Sequence, residues 1–240
     1  MNYCKISKTE IFYEMCPSTK AKQIRITIIN DKVRVSFPRG SNEQKVKGFV
    51  EDKKAWILKT LEANKRSEVK NPQKNYQAGE IYLLQGRSYM LQTKLYQGSK
   101  PYHKLIDKVI WVYLPENIPE NYWLHLVKEE LSKWYKNQAH QVYQEKLEHY
   151  SKIMGLKYNQ LRIKNQATRW GSCSSKSNLN LNWRVIMAPE DVIDYLIIHE
   201  LAHLKFMNHS QQFWQLVASF KPDYEVWRKW LKDNGRTLVL

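Results

Sequence analysis

The chain has little cysteine. Cys4, Cys16 and Cys173 are the only three among 240 residues, odd in number, widely spaced and without a CxxC pair. That usage argues against a disulfide framework and against a thiolate zinc site, and it fits a reducing cytoplasm. Long apolar runs are also missing: VIWVYL and YLII are the longest, far below the roughly 20 residues a membrane-spanning helix needs. The opening MNYCKISKTEIFYEM offers no apolar h-region and no small-residue cleavage pattern, so neither export nor membrane insertion is expected. No internal repeat and no low-complexity tract can be seen.

Positive charge, by contrast, is abundant. Lysine and arginine outnumber acids 39 to 23, a net +16, and 42% of residues are apolar, ample for a packed core. The excess is uneven: residues 1–117 hold 22 basic and 11 acidic groups, whereas 118–240 hold 17 and 12. A basic first half interleaved with tyrosine and tryptophan is the composition of a nucleic-acid contact, so such a partner is one expectation for the N-terminal region.

Along the chain, QIRITIIN and VRVSF alternate apolar with polar residues around Asn30-Asp31, which predicts a hairpin. Ser41 with Gln44 reads as a capping box, opening a helix with apolar Val46, Phe49, Val50, Ile57, Leu58 and Leu61 and running to about Asn64. Lys65 to Gln77 reads as a linker. Strands are expected at Glu80 to Leu84, Tyr89 to Tyr96 and Val109 to Leu114, with Gln85-Gly86 as a turn. Pro115 to Pro119 reads as a boundary, dividing a basic α+β region, 1–117, from a core, 118–240. In that core a helix from about Asn121 to Met154 stops at Gly155. Leu161 to Lys164 and Leu179 to Val185 read as strands, and Pro189 with Glu190 and Asp191 opens a further helix. Ser210 can cap the next helix, and Pro222-Asp223 opens a last one that Asn234-Gly235 ends.

Three of seven histidines fall within eleven residues of the helix opened by Pro189, in the stretch HELAHLKFMNH. At 3.6 residues per turn His199 and His203 project from one face and can converge on one ion. Glu200 completes the HExxH pattern, in which the glutamate takes a proton from water activated by the metal. Apolar Ile193, Ile197, Leu201 and Leu204 would bury the opposite side. A catalytic zinc site takes three protein ligands, and His209, six residues after His203, leads the candidates. Asp223 and Glu225 are the rivals. The metzincin glycine is replaced by Phe206, so the chain must turn elsewhere, and Asn208 is a plausible place.

With TRWGSCSSKSNLNLNWRVIMAP before HELAHL and NHSQQFW behind it, the chain resembles the YgjP-like family of zincin metallopeptidases, relatives of the SprT-like proteases. The resemblance is strongest from Gln166 to Trp214. It implies an α+β fold with a zincin-like core, zinc on His199, His203 and His209, and Glu200 as general base. It also implies a strand beside the active helix whose edge can hold a peptide, which would be Leu179 to Val185. Arg169, in the RWGS signature, would steady an oxyanion or a substrate carboxyl or serve in a structural ion pair; Tyr195 and Tyr224 are other oxyanion donors to consider. Trp170 reads as packing, and Cys173 as small and structural.

The expected activity is zinc-dependent hydrolysis of peptide bonds in a peptide or protein substrate. One alternative keeps the metal but turns it on a nucleotide phosphoanhydride, although no Walker loop or carboxylate cluster is present. Another is a nucleic-acid-binding module with a structural metal.

Overall fold

The structure, a computed structural model, describes residues 2–9, 11–29, 31–70, 74–166 and 169–240. It divides into two compact units, Met1–Pro72 and Gln73–Leu240. The break thus lies well before the boundary expected at 117/118. Pro115 to Pro119 turns the chain inside one core: Leu91, Ile110, Val112 and Leu114 before it pack with Val127, Leu131 and Trp134 after it.

The first unit is built on strands β1 (Asn2–Lys5), β2 (Phe12–Ser18), β3 (Arg25–Ile29) and β4 (Lys32–Pro38), arranged β1-β2-β4-β3. The outer pairs are antiparallel and the central β2–β4 pair is parallel. Alternation explains its inner face, since Tyr13, Met15, Val33, Val35 and Phe37 are buried while their neighbours are not. The expected hairpin is β3–β4; Asp31 takes a left-handed φ of 58° in its turn, and Asn30 lies outside the described residues.

Where one helix was expected there are two, α1 (Glu43–Asp52) and α2 (Lys54–Lys70). The cap of α1 is Asn42, whose side chain accepts from the Gln44 N–H at 2.8 Å, while Ser41 Oγ donates to the Pro38 carbonyl. Val46 and Val50 of α1 and Ile57 and Leu61 of α2 fill the core under the sheet. Helix α2 continues through Lys65 to Lys70, expected as linker, because lysine, arginine and glutamate are good helix formers whatever their charge. Residues 71–73 of that linker lie outside the described residues.

The second unit opens with the same topology in a different sequence. Strands β5 (Ile81–Leu84), β6 (Arg87–Tyr96), β7 (Tyr102–Ile106) and β8 (Val109–Pro115) are arranged β5-β6-β8-β7, again with a parallel central pair. The repeat is therefore one of architecture, invisible in residue identity. Helix α3 (Trp123–Met154) follows, buries Val127, Leu131, Trp134, Tyr135, Ala139, Tyr143 and Leu147 along one face, and ends at Gly155 with φ 65°.

A second, smaller sheet has strands β9 (Gln160–Lys164), β10 (Gly171–Cys173) and β11 (Asn178–Asn182) in the order β10-β11-β9. The strand expected over Leu179 to Val185 stops at Asn182, where Trp183–Met187 form a 3-10 turn. Then come α4 (Glu190–Ala202), α5 (Gln211–Phe220) and α6 (Tyr224–Asn234). Helix α4 is fixed at its start by the β5–β6 turn. The backbone N–H groups of Gln85 and Gly86 donate to the Ile186 and Met187 carbonyls, and the Gly86 backbone lies so near Pro189 that a Cβ there would meet its Cα at 3.1 Å. Lys146 of α3 bridges Glu190 and Asp194 of α4 at 2.9 and 2.7 Å. No helix among the described residues is long and apolar enough to cross a membrane.

Candidate active site

Helix α4 is apolar on nearly every side, with Ile193, Ile197 and Leu201 fully buried as their spacing predicts. Its last turn carries His199 and Glu200, and His203 is its C-cap. The helix gives way to a turn over His203–Lys205, and the chain bends again at Met207 and Asn208, the place expected, although Asn208 is not among the residues with positive φ. The turn brings His209 back over the helix end, just before Ser210, which caps α5 by accepting from the Phe213 N–H.

The three imidazoles converge. One nitrogen from each of His199, His203 and His209 lies within 4.8 Å of the others, and His199 Nε2 stands 3.2 Å from His209 Nε2. Two ligands on a tetrahedral zinc with bonds of about 2.0–2.1 Å are about 3.3 Å apart, so this spacing fits a shared ion. The ring of His203 is oriented by its Nδ1–H, which donates to the Phe206 carbonyl at 3.0 Å and leaves Nε2 with a free lone pair. The Tyr195 hydroxyl lies 3.5 Å from His199 Nδ1, on the far side of that ring. Phe213 packs against all three rings.

Two of the three histidines are pushed toward the neutral form, in which a ring nitrogen can bind a metal. Burial, with the charges of His203, His209 and Arg228, holds His199 down at about 3. Burial and the same kind of neighbours also lower His209. Glu200 moves the opposite way: it is 3% exposed, its Oε2 has no hydrogen-bond partner, and burial raises its pKa to about 8. A buried carboxyl without a partner at Oε2, next in sequence to a cluster of three converging imidazoles, is an arrangement that a divalent cation completes, because the cation favours both the lone pairs and the carboxylate.

Glu200 lies against strand β10. A Cβ on Gly171 would fall 2.3 Å from Glu200 Oε1, so only glycine leaves room for the carboxyl. The loop before Gly171 is tied down by buried Asn182, whose Nδ2 donates to the Gln166 and Arg169 carbonyls at 2.7 and 3.2 Å. Strand β10 pairs with β11 alone, so among the described residues its other edge carries no strand. The strand expected to offer that edge, Leu179 to Val185, is instead flanked on both sides, by β10 and β9.

Of the other candidates, Asp223 accepts from Trp227 Nε1 at 2.6 Å and Glu225 from the Tyr224 hydroxyl at 3.3 Å, so neither joins the cluster. The Arg169 side chain is exposed and, among the described residues, only its carbonyl is engaged. Trp170 packs against the backbone of Gly235, in agreement with a packing role. Burial and the nearby Glu200 raise the Cys173 thiol, away from the thiolate form that a nucleophile needs. Sequence reasoning missed Gly171, Asn182, Phe213, Trp214 and Arg228. Trp214 stacks on His209 at 5.5 Å between ring centroids, and Arg228 lies over the Trp214 ring at 4.5 Å.

The chain is 26% identical over 131 residues to the UTP pyrophosphatase of Escherichia coli (strain K12), a match spanning 55% of this chain and 68% of that protein. Among solved structures it is similar to the metallopeptidase zymogen of Pyrococcus abyssi abylysin, at 28% identity and a TM-score of 0.33 over 38% of this chain and 93% of that one. The metallopeptidase zymogen of Methanocaldococcus jannaschii jannalysin gives 23% identity and a TM-score of 0.34 over 39% of this chain and 95% of that one. The model of the YgjP-like metallopeptidase domain matches residues 22–234. Spanning nearly the whole sequence, from before β3 to the end of α6, that match shows that the chain belongs to the YgjP-like family.

Proposed function

We propose that the protein is a zinc-dependent hydrolase of peptide bonds, with His199, His203 and His209 holding the metal and Glu200 as general base. The observation that carries this reading is the buried Glu200 carboxyl, without a partner at Oε2, in the turn of α4 that also presents the histidine cluster. A bound divalent ion supplies Lewis acidity, polarising a substrate oxygen and making water acidic near neutral pH. Glu200 accepts the proton of the attacking water and passes it to the leaving amine. The bond from His203 Nδ1–H to the Phe206 carbonyl leaves Nε2 as the nitrogen to face a metal. The open edge of β10, running past Glu200 at Gly171, suits an extended peptide, since main-chain hydrogen bonds can hold many sequences in register. The three cysteines stand free, which suits a cytoplasmic setting.

A second reading keeps this chemistry and changes the substrate to a nucleotide phosphoanhydride. It is favoured by the similarity to a UTP pyrophosphatase. Glu200→Gln tests the shared chemistry: turnover is expected to fall about 10²–10⁴-fold with zinc content unchanged. Casein and UTP, assayed side by side with that variant as blank, separate the two substrates. Hydrolysis unaffected by Glu200→Gln would refute both.

A further inference from the structure

We infer that Arg228 forms an anion subsite beside the histidine cluster and takes the phosphate or carboxylate oxygens of the substrate held there. The inference rests on the hydrolase reading of that cluster. Arg228 lies on α6, one turn after Tyr224, with its guanidinium carbon 4.5 Å from the centre of the Trp214 ring. Trp214 in turn stacks on Tyr224 at 5.2 Å and on His209 at 5.5 Å, and its ring centre is 5.7 Å from that of His199. The Trp214 ring thus touches the guanidinium as well as two of the three histidines.

Arg228 is also unspent. Among the described residues no carboxylate or carbonyl accepts from it, whereas the acids nearest in sequence are engaged elsewhere: Glu225 by Tyr224, Asp223 by Trp227 and Lys221. Neighbouring cations differ, since Lys229 pairs with Asp233 and Lys221 with Asp191. An aromatic face holds a guanidinium in place without using its N–H fork on any oxygen. Held there, the charge opposes a divalent ion at the histidines by simple repulsion. An anion lying between the two cations reverses that penalty, and the five-donor fork fits phosphate or carboxylate oxygens in pairs. Arg228, whose guanidinium lies over the Trp214 ring, is an arginine that the fold brings beside the site.

The test is equilibrium binding, which needs no turnover. Zinc-loaded wild type, Arg228→Gln and Arg228→Lys are titrated by calorimetry with inorganic pyrophosphate, with a short peptide ending in a free carboxylate, and with the same peptide amidated. Arg228 is exposed, so both variants should fold, and zinc content is checked in each. At least one anion is expected to bind about tenfold or more weakly to Arg228→Gln, with partial recovery in Arg228→Lys and no change for the amidated peptide. Loss confined to pyrophosphate assigns the subsite to a phosphate tail; loss confined to the free peptide assigns it to a C-terminal carboxylate. Wild-type affinity of Arg228→Gln for both anions overturns the proposal. Arg228-dependent binding by a protein that hydrolyses nothing would refute the hydrolase reading alone, and hydrolysis with no Arg228 dependence in binding would refute the subsite alone.

Discussion

Two four-stranded sheets of identical topology occur among the described residues, and one of them belongs to the unit that carries the histidine cluster. In the first unit, β1-β2-β4-β3 covers α1 and α2, and its core is wholly hydrophobic: Ile6, Tyr13, Met15, Val33, Val35, Phe37, Val46, Val50, Ile57 and Leu61. In the second, β5-β6-β8-β7 shares a core with α3 and α4 and anchors the start of α4 through the β5–β6 turn. The buried charged or amide side chains among the described residues, Glu130, Asn182 and Glu200, all lie in the second unit. Glu130 meets His103 and Lys133, and Asn182 meets three backbone groups. Of these three, Glu200 leaves a buried oxygen without a partner; among the described residues the nitrogens Trp183 Nε1 and Arg184 Nε are also buried without one. Shared architecture therefore says nothing about activity; an uncompensated polar group, held at a cost in stability, does.

If the difference between the units lies where it is drawn, perturbations should stay on their own side. Glu200→Gln, with the largest expected effect, should cut turnover about 10²–10⁴-fold while leaving the unfolding of the first unit unchanged. Ile57→Ala, at a fully buried position of the other core, should cost about 2–5 kcal/mol of that unit's stability. Scanning calorimetry should show its transition move while zinc content and turnover persist; a loss of zinc would break the comparison. Gly171→Ala should cut kcat about 100-fold with the metal retained, because the added methyl displaces the buried carboxyl and a shift of about 1 Å is enough for that loss. Full activity would mean that the close approach is no constraint. The smallest effect is predicted for Lys47→Ala, which removes an exposed pair with Glu43 at 3.9 Å and should change stability by less than about 0.5 kcal/mol.

What could be read in advance follows from how local each signal is. His199, Glu200 and His203 were legible because covalent spacing along a helix fixes which face they share. His209 followed from the need for a third ligand. Helix α3 was legible from its period and from Gly155, and the strands β5, β6 and β8 from their alternation. Gly171, Asn182 and Arg228 were not legible, because each matters only through what a distant segment brings against it. Strand β10, three residues reading GSC, carries no strand pattern of its own and exists by pairing with β11. The boundary was misplaced because prolines at 115 and 119 look alike whether they end a domain or turn within one. Charge misled at α2, where side chains that looked like a linker are also good helix formers.

X-ray absorption at the zinc edge on the zinc-loaded protein tests the central claim most directly. A first shell of three imidazole nitrogens and one exchangeable light atom, losing one nitrogen in His209→Ala, is the predicted result. A shell closed by four protein donors, or one unchanged in His209→Ala, would contradict it.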